Sequence, residues 1–264
     1  ERIAVIDDER YRVFEGKNNN IGTLIKMAEF KRKFTQNFID DHRYRYLLDG
    51  LKETLIIAVC AVIIGILIGF IVAIIRSTHD KNHSKKKGFS RFIIGLLNFI
   101  CKVYLTIIRG TPVLVQLLIS FYCIFTAPDT SKTFVAIMAF GINSGAYVAE
   151  IVRSGIMSID NGQFEAGRSL GFNYIQTMVF IVLPQAFKNV LPALSNEFIV
   201  LLKETSVAGY IGIQDLTKGG DFIRSRTFEP LFPLIAVAII YLIIVMILTS
   251  LVSKLERRLR NSDH

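Results

Sequence analysis

The chain has 264 residues, 52% of them hydrophobic, yet it carries 31 Lys and Arg against 22 Asp and Glu, a formal net charge of +9. Apolar blocks must alternate with basic connections, which is the composition of an all-α polytopic membrane protein. The basic residues flank apolar runs instead of forming an aromatic-interleaved patch, which points away from nucleic acid, and the three cysteines, all in apolar stretches, suggest neither a disulfide framework nor a metal site.

Residues 1–50 are polar and contain no apolar run of spanning length. They read as a tail, with a short strand pair in residues 1–16 that suggests a truncated start or the end of a preceding domain. Residues 22–38 have helical periodicity in Leu24, Ile25, Met27, Ala28, Phe34 and Phe38, with Lys26, Lys31, Arg32 and Lys33 interspersed. That pattern fits a helix on a membrane surface or a solvated linker equally well. The first span is Thr54 to Ile75, uncharged and long enough to cross a hydrocarbon core of about 30 Å. Gly65 and Gly69 on one of its faces offer a close-contact surface for a second helix. The loop 76–91 that follows is strongly basic and therefore expected in the cytoplasm. Its His79 and His83 have helical spacing but no third ligand nearby.

Residues 92–125 are too long for one upright crossing and should bend at Arg109-Gly110-Thr111-Pro112, with an interfacial or elbow helix before the break and the crossing after it. An external turn at Ala127-Pro128-Asp129 leads to a third span, Thr133 to Val152. This span is rich in small and polar residues (Gly141, Asn143, Ser144, Gly145), as expected of a helix packed against protein. A fourth span lies between residues 185 and 210 although it holds Asn196, Glu197, Lys203 and Glu204. An ionised side chain at a lipid-facing helix centre costs about 2.5–3.5 kcal/mol, so this helix must face protein or water. After an external loop at 209–226, Leu231 to Val252 forms the fifth span, and Lys254, Arg257, Arg258 and Arg260 place the C-terminus in the cytoplasm. Five crossings put the N-terminal tail outside. The divisions are a polar tail over 1–50, a transmembrane domain over 51–255 and a basic cytoplasmic tail over 256–264.

The loop between the third and fourth spans carries the most specific pattern. Glu165-Ala166-Gly167 is followed by Gly171 and, after a short second helix, by Leu183-Pro184. The glycine should end one helix and the proline should mark entry to the next element, giving an amphipathic hairpin with Leu170, Tyr174, Met178 and Ile181 as its apolar side. This spacing resembles the EAA loop of ABC importer permeases. Arg109-Gly110-Thr111-Pro112 with Val115-Gln116, the run Ala146 to Arg153, and Leu202 to Ser206 resemble the polar amino acid subfamily. The resemblance covers roughly residues 45–255 and none of the first 40 or so. Gly167 stands where the family usually has Ala, which should loosen the first coupling helix.

The resemblance implies the five-helix type I importer permease fold in a bacterial cell membrane. It also implies translocation of a polar amino acid into the cytoplasm, with ATPase coupling through Glu165, Ala166, Gly167, Gly171, Leu183 and Pro184. The chain has no Gly-x4-Gly-Lys-Ser/Thr phosphate loop. ATP and Mg2+ are accordingly expected in a separate ATPase subunit and no cofactor on this chain. An extracytoplasmic amino-acid-binding protein, membrane lipid, and a second permease that is either a copy or a paralogue complete the expected partners. Helical phase puts Asn143, Tyr147 and Glu150 on one face of the third span and sets Glu197 with Glu204 and Asn196 with Lys203, each seven apart, on the fourth; Asn143, Ser144, Tyr147, Asn196, Glu197 and Lys203 are the candidate substrate path. Glu197 either receives a substrate amino group or forms an interhelical ion pair with Lys203. Arg109, Gly110, Pro112, Glu150 and Arg153 are expected in gating or structural roles. Two rival readings are an ion-gradient-driven transporter, which would show paired internal repeats that the sequence lacks, and a membrane scaffold, which would leave the spacing of Glu165, Gly171 and Pro184 unexplained.

Overall fold

The computed structural model describes residues 26–82 and 89–261, so the expected strand pair and His83 lie outside the described residues. Helix α1 (26–34) continues through a π turn at Thr35–Ile39. It is followed by α2 (Tyr44–Asn82), α3 (Phe89–Gly110), α4 (Val113–Ile119) with a π turn at Ser120–Ile124, and α5 (Lys132–Met157). Then come α6 (Asn161–Ser169), α7 (Tyr174–Thr177), a π turn at Met178–Val182, and α8 (Leu183–Glu204) closing in a 3-10 turn at Thr205–Ile211. The chain ends with α9 (Leu216–Thr227) and α10 (Leu231–Asn261). Among the described residues, five runs are long and apolar enough to cross a membrane: Tyr44–Lys81, Phe89–Gly110, Lys132–Met157, Tyr174–Ile211 and Leu231–Leu259.

The bundle is organised on α2 and α5, which meet through glycines on both helices. A methyl group on Gly65 would lie 3.0 Å from Ser144, and one on Gly69 would collide with Val148. In return, Gly141 faces Ile64 at 2.8 Å and Gly145 faces Ile68 at 3.0 Å. Two Gly-x3-Gly surfaces therefore seat each other, and between membrane helices this close approach supplies the dispersion contact that the hydrophobic effect supplies in water. Helix α2 has 39 residues, about 58 Å at 1.5 Å per residue, so it extends well past the hydrocarbon core. Its first turns pack on α9, where Gly50 abuts Asp215 and Gly219 abuts Tyr46. Asp215 is the N-cap of α9, accepting from the amides of Thr217 and Lys218. It is fully buried, which pushes its carboxyl above the usual range.

The chain breaks at residues 110–112 as expected, but length is shared differently about the break. The part before it is the 22-residue α3, itself long enough to cross, whereas α4 and its π turn span only about 18 Å. Cys101 and Leu105 pack against Val72, Ala146 and Ala149, while Leu117 packs against Ile57, Ala136 and Phe140, nearer the opposite end of the bundle. The passage is thus made by α3 and α4 in series, not by the second piece alone.

Pro184 stands in the first turn of α8 and so marks the entry to that element as expected, yet the helical run passes across it without a gap. The run Tyr174–Ile211 is continuous, because the π turn immediately before Pro184 gives its ring room: the Leu183 amide reaches back to the Met178 carbonyl, one residue further than in an α-helix. Similarly, α2 begins at Tyr44 and α10 continues to Asn261, so helix crosses the expected boundaries at 50 and 255.

Candidate functional site

Two groups of residues connect at the end of the bundle that carries Arg76 and Arg153, and a third lies further into it. The first is the α6–α7 hairpin. Asp160 caps α6 by accepting from the Gly162 amide at 2.6 Å. At its other end Gly171 adopts φ +81, with the Gly171 amide bonded to the Arg168 carbonyl and the Phe172 amide to the Gly167 carbonyl. These are the two bonds of a Schellman motif, a left-handed stop that a side chain would strain. Asn173 and Gln176 then form a capping box that starts α7. Helix α6 lies so close to α7 that a methyl on Gly167 would stand 2.6 Å from the Thr177 side chain. The glycine therefore permits this close contact.

The inner face of the hairpin joins the core through Phe164, Met178 and Val182, with Phe164 stacked on Tyr174 at 6.3 Å. Its outer face differs from the expected apolar side: Leu170 is 71% exposed and Ile175 70% exposed at the tip, alongside exposed Glu165 and Ala166. Leu183 is partly buried against the core and Pro184 is exposed beyond the π turn.

The second group is a ladder of ion pairs. Glu150 receives Arg76 at 3.2 Å, Arg109 at 3.4 Å and Arg153 at 3.4 Å. Arg153 also clasps Asp80 with two bonds, at 2.7 and 3.0 Å. The next residue, Lys81, places its ammonium 3.7 Å from the Phe164 ring centroid and 3.5 Å from the Asn161 side chain, so the overhanging end of α2 touches the hairpin. A cleft of about 500 Å3 opens between them, lined by Asp80, Lys81, Glu165 and Arg168 among others. A second cleft, about 640 Å3, has Arg76, Lys102, Arg109, Tyr147 and Glu150 on its walls and Gly110 at its rim.

The third group is polar and central. Ser144, fully buried, donates to the Glu197 carboxylate at 2.9 Å, joining α5 to α8. Asn143 donates to Gln116 at 2.9 Å, and Gln116 in turn donates to the carbonyls of Ile108 and Thr111, bridging the α3–α4 break at which Pro112 is the N-cap of α4. Tyr147 lies below the Arg109 guanidinium, 5.8 Å away. The face of α5 bearing Asn143, Tyr147 and Glu150 is therefore turned toward that break. Asn196 and Lys203 are exposed, and among the described residues no ion pair joins Glu197 to Lys203. Sequence reasoning did not assign a role to Arg76, Asp80, Lys81 or Gln116. The first could have been found from its position at the end of the first apolar run, level with the acid on α5.

The family model described as binding-protein-dependent transport system inner membrane component matches residues 91–261. The arginine transport system permease protein ArtQ of Bacillus subtilis (strain 168) is 36% identical over 220 residues, covering 83% of this chain and 94% of that protein. The glutamine transport system permease protein GlnP of Escherichia coli (strain K12) is 34% identical over 218 residues, covering 81% and 93%. Among solved structures, an amino acid ABC transporter with histidines superposes with a TM-score of 0.72 at 37% identity, over 84% of this chain and 98% of that one. The MetNI methionine ABC transporter, inward facing, has a TM-score of 0.69 at 18% identity and shows the shared fold alone. With its five spanning helices and its capped hairpin, the chain belongs to the family of binding-protein-dependent transport system inner membrane components, multi-pass permease subunits of ABC transporters with the type I fold.

Proposed function

We propose that this permease carries a polar amino acid into the cytoplasm, with the hairpin seating a separate ATPase subunit that holds ATP and Mg2+. The observation that carries the reading is the hairpin itself. Its inner face is locked to the core, while Leu170 and Ile175 stand exposed on either side of a glycine-closed turn. Exposed apolar residues on a rigid, otherwise polar tip are the form of a docking knob. The ladder from Phe164 through Lys81, Asp80, Arg153 and Glu150 to Arg109 links that knob to the α3–α4 break, and beyond it the Asn143–Gln116 and Ser144–Glu197 pairs mark the route for substrate. A carboxylate held by Ser144 is suited to receive an amino group, and an amino acid substrate is consistent with the arginine and glutamine permeases named above. An extracytoplasmic binding protein would deliver the substrate, and a second permease, copy or paralogue, would complete the pathway.

The decisive experiment reconstitutes the permease with its ATPase subunit and binding protein. Gly171→Val, which forces a β-branched residue into a left-handed conformation at a strain of about 1–3 kcal/mol, is expected to leave the protein expressed but to separate ATP hydrolysis from transport. Unchanged transport would refute the coupling role. Orientation follows the basic charges: the hairpin and residues 254–264 inside, α9 and the N-terminal tail outside. In a variant lacking Cys60, Cys101 and Cys123, Ser225→Cys should be labelled by an impermeant thiol reagent added to intact cells, and Lys254→Cys should not. The reverse pattern would invert the topology.

A further inference from the structure

Helix α1 with its following π turn sits where the chain passes from the polar link after α9 into the apolar start of α10. Lys33 pairs with Glu229 at 3.0 Å, two residues before α10 begins at Leu231, and Phe30 packs on Phe232 with ring centroids 5.3 Å apart. The neighbouring carboxylate of Glu229 raises the Lys33 pKa and keeps it charged. The end of this segment is fixed to the bundle. Phe38 enters a cluster with Leu47, Leu216, Ile223 and Val237, and buried Asn37 accepts from Thr227 at 2.8 Å. Its rotation about its own axis is therefore set by docking.

Met27, Phe30 and Phe34 follow at helical spacing on one side and remain 64%, 60% and 44% exposed. They continue the exposed apolar surface of Leu231, Leu234 and Ile235 at the start of α10. Lys26 and Lys31 fall on the two flanks of this stripe, and Arg32 falls on the side away from it. A helix with an aromatic stripe, lysines on both flanks and contacts to both sides of a water–lipid boundary has the form of an interfacial anchor.

We propose that residues 26–39 lie in the plane of the membrane at the α9 end of the bundle, with Met27, Phe30 and Phe34 among the acyl chains and Lys26 and Lys31 at phosphate headgroups. The segment then works as an outrigger that fixes the tilt of α10 and the height of the bundle in the bilayer. The occupant of the stripe is lipid and not protein, because the stripe is continuous with a spanning surface and its flanking cations match phosphate.

The chain contains no tryptophan, so a single introduced indole reports on this helix alone. Met27→Trp, Phe34→Trp and, for comparison, Arg32→Trp are made in the full-length chain and reconstituted into vesicles of phosphatidylethanolamine and phosphatidylglycerol brominated on the acyl chains. The proposal requires blue-shifted emission from positions 27 and 34, quenched to about half by the brominated lipid, and water-like, unquenched emission from position 32. It is overturned by water-like emission from all three, which makes the helix a solvated linker. It is equally overturned by blue-shifted emission at 27 and 34 that bromine does not quench, which means that protein covers the stripe. Met27 is largely exposed, so its variant reads the helix even where Phe34→Trp perturbs the fold.

Discussion

Helices α5 and α10 both cross the membrane, yet they are built to opposite rules. Of the most apolar stretch in each, 67% of α5 is buried within the protein against 11% of α10. That stretch of α5 is the less hydrophobic of the two, and the helix carries glycines on one face and Asn143, Ser144, Tyr147 and Glu150 on others. Helix α10 is almost uniformly apolar from Leu231 to Leu251. The difference shows what lipid contact costs: a helix surrounded by protein can spend its surface on close packing and polar contacts, whereas one surrounded by acyl chains can carry little but hydrocarbon.

If that contrast is correct, damage should scale with burial. The largest effect is expected from Gly69→Leu, which drives a side chain into Val148 across the α2–α5 seat. Overpacking of this kind costs about 1–3 kcal/mol or more, and it should appear as lost expression or a clearly lower Tm in detergent. A wild-type Tm would mean that the seat is not close-packed. Ser144→Ala comes next, because it leaves the buried Glu197 without its hydroxyl donor at a cost of about 1–3 kcal/mol; thermal unfolding again provides the measure.

Glu197→Gln keeps the shape and the Ser144 bond, so the expected loss is functional. Uptake of a cationic amino acid should fall about tenfold, equivalent to ~1.4 kcal/mol, and that of a neutral one less, while ATP hydrolysis stimulated by the binding protein persists. Equal loss of both activities would make Glu197 a structural residue. Asp80→Asn should be milder. It releases one partner of Arg153 in a part-exposed pair, and a loss of about 0.2–1 kcal/mol in such a pair predicts less than tenfold poorer coupling of hydrolysis to transport. The smallest effect belongs to α10: Leu242→Ile, on the exposed face, should leave both Tm and transport within error. A large effect there would place protein where the contrast places lipid.

Much of this was legible in the sequence because its rules are local. The number of apolar runs, the glycine stop at 171 and the break at 110–112 each follow from residues within one turn of the feature. What was hidden depended on partners far along the chain. Gly167 makes its close contact with Thr177 across a hairpin, which propensity alone does not reveal. Pro184 marks the start of α8 from the sequence alone, but nothing in residues 178–182 announces the π turn through which α7 runs on into that helix. Leu170 shares helical phase with Tyr174 and Met178 only if the helix is unbroken, and the stop at Gly171 rotates it outward. For Glu150 and Glu197, the sequence supplied the costly charges, but Arg76, 74 residues away, and Ser144, 53 away, could be matched to them only in space.

The absence of a break at Pro184 has a mechanical consequence. Since α7 and the fourth span share one backbone, the hairpin is not a loop hung from the membrane domain but the short arm of a crank whose long arm crosses the bilayer. The run Tyr174–Ile211 has 38 residues, about 57 Å along its axis. A rock of about 5° applied at the Ile175 end would carry the far end through roughly 5 Å, close to one helical turn. Under the proposed coupling, small strokes at the tip would thereby be geared into displacements on the scale of a small solute.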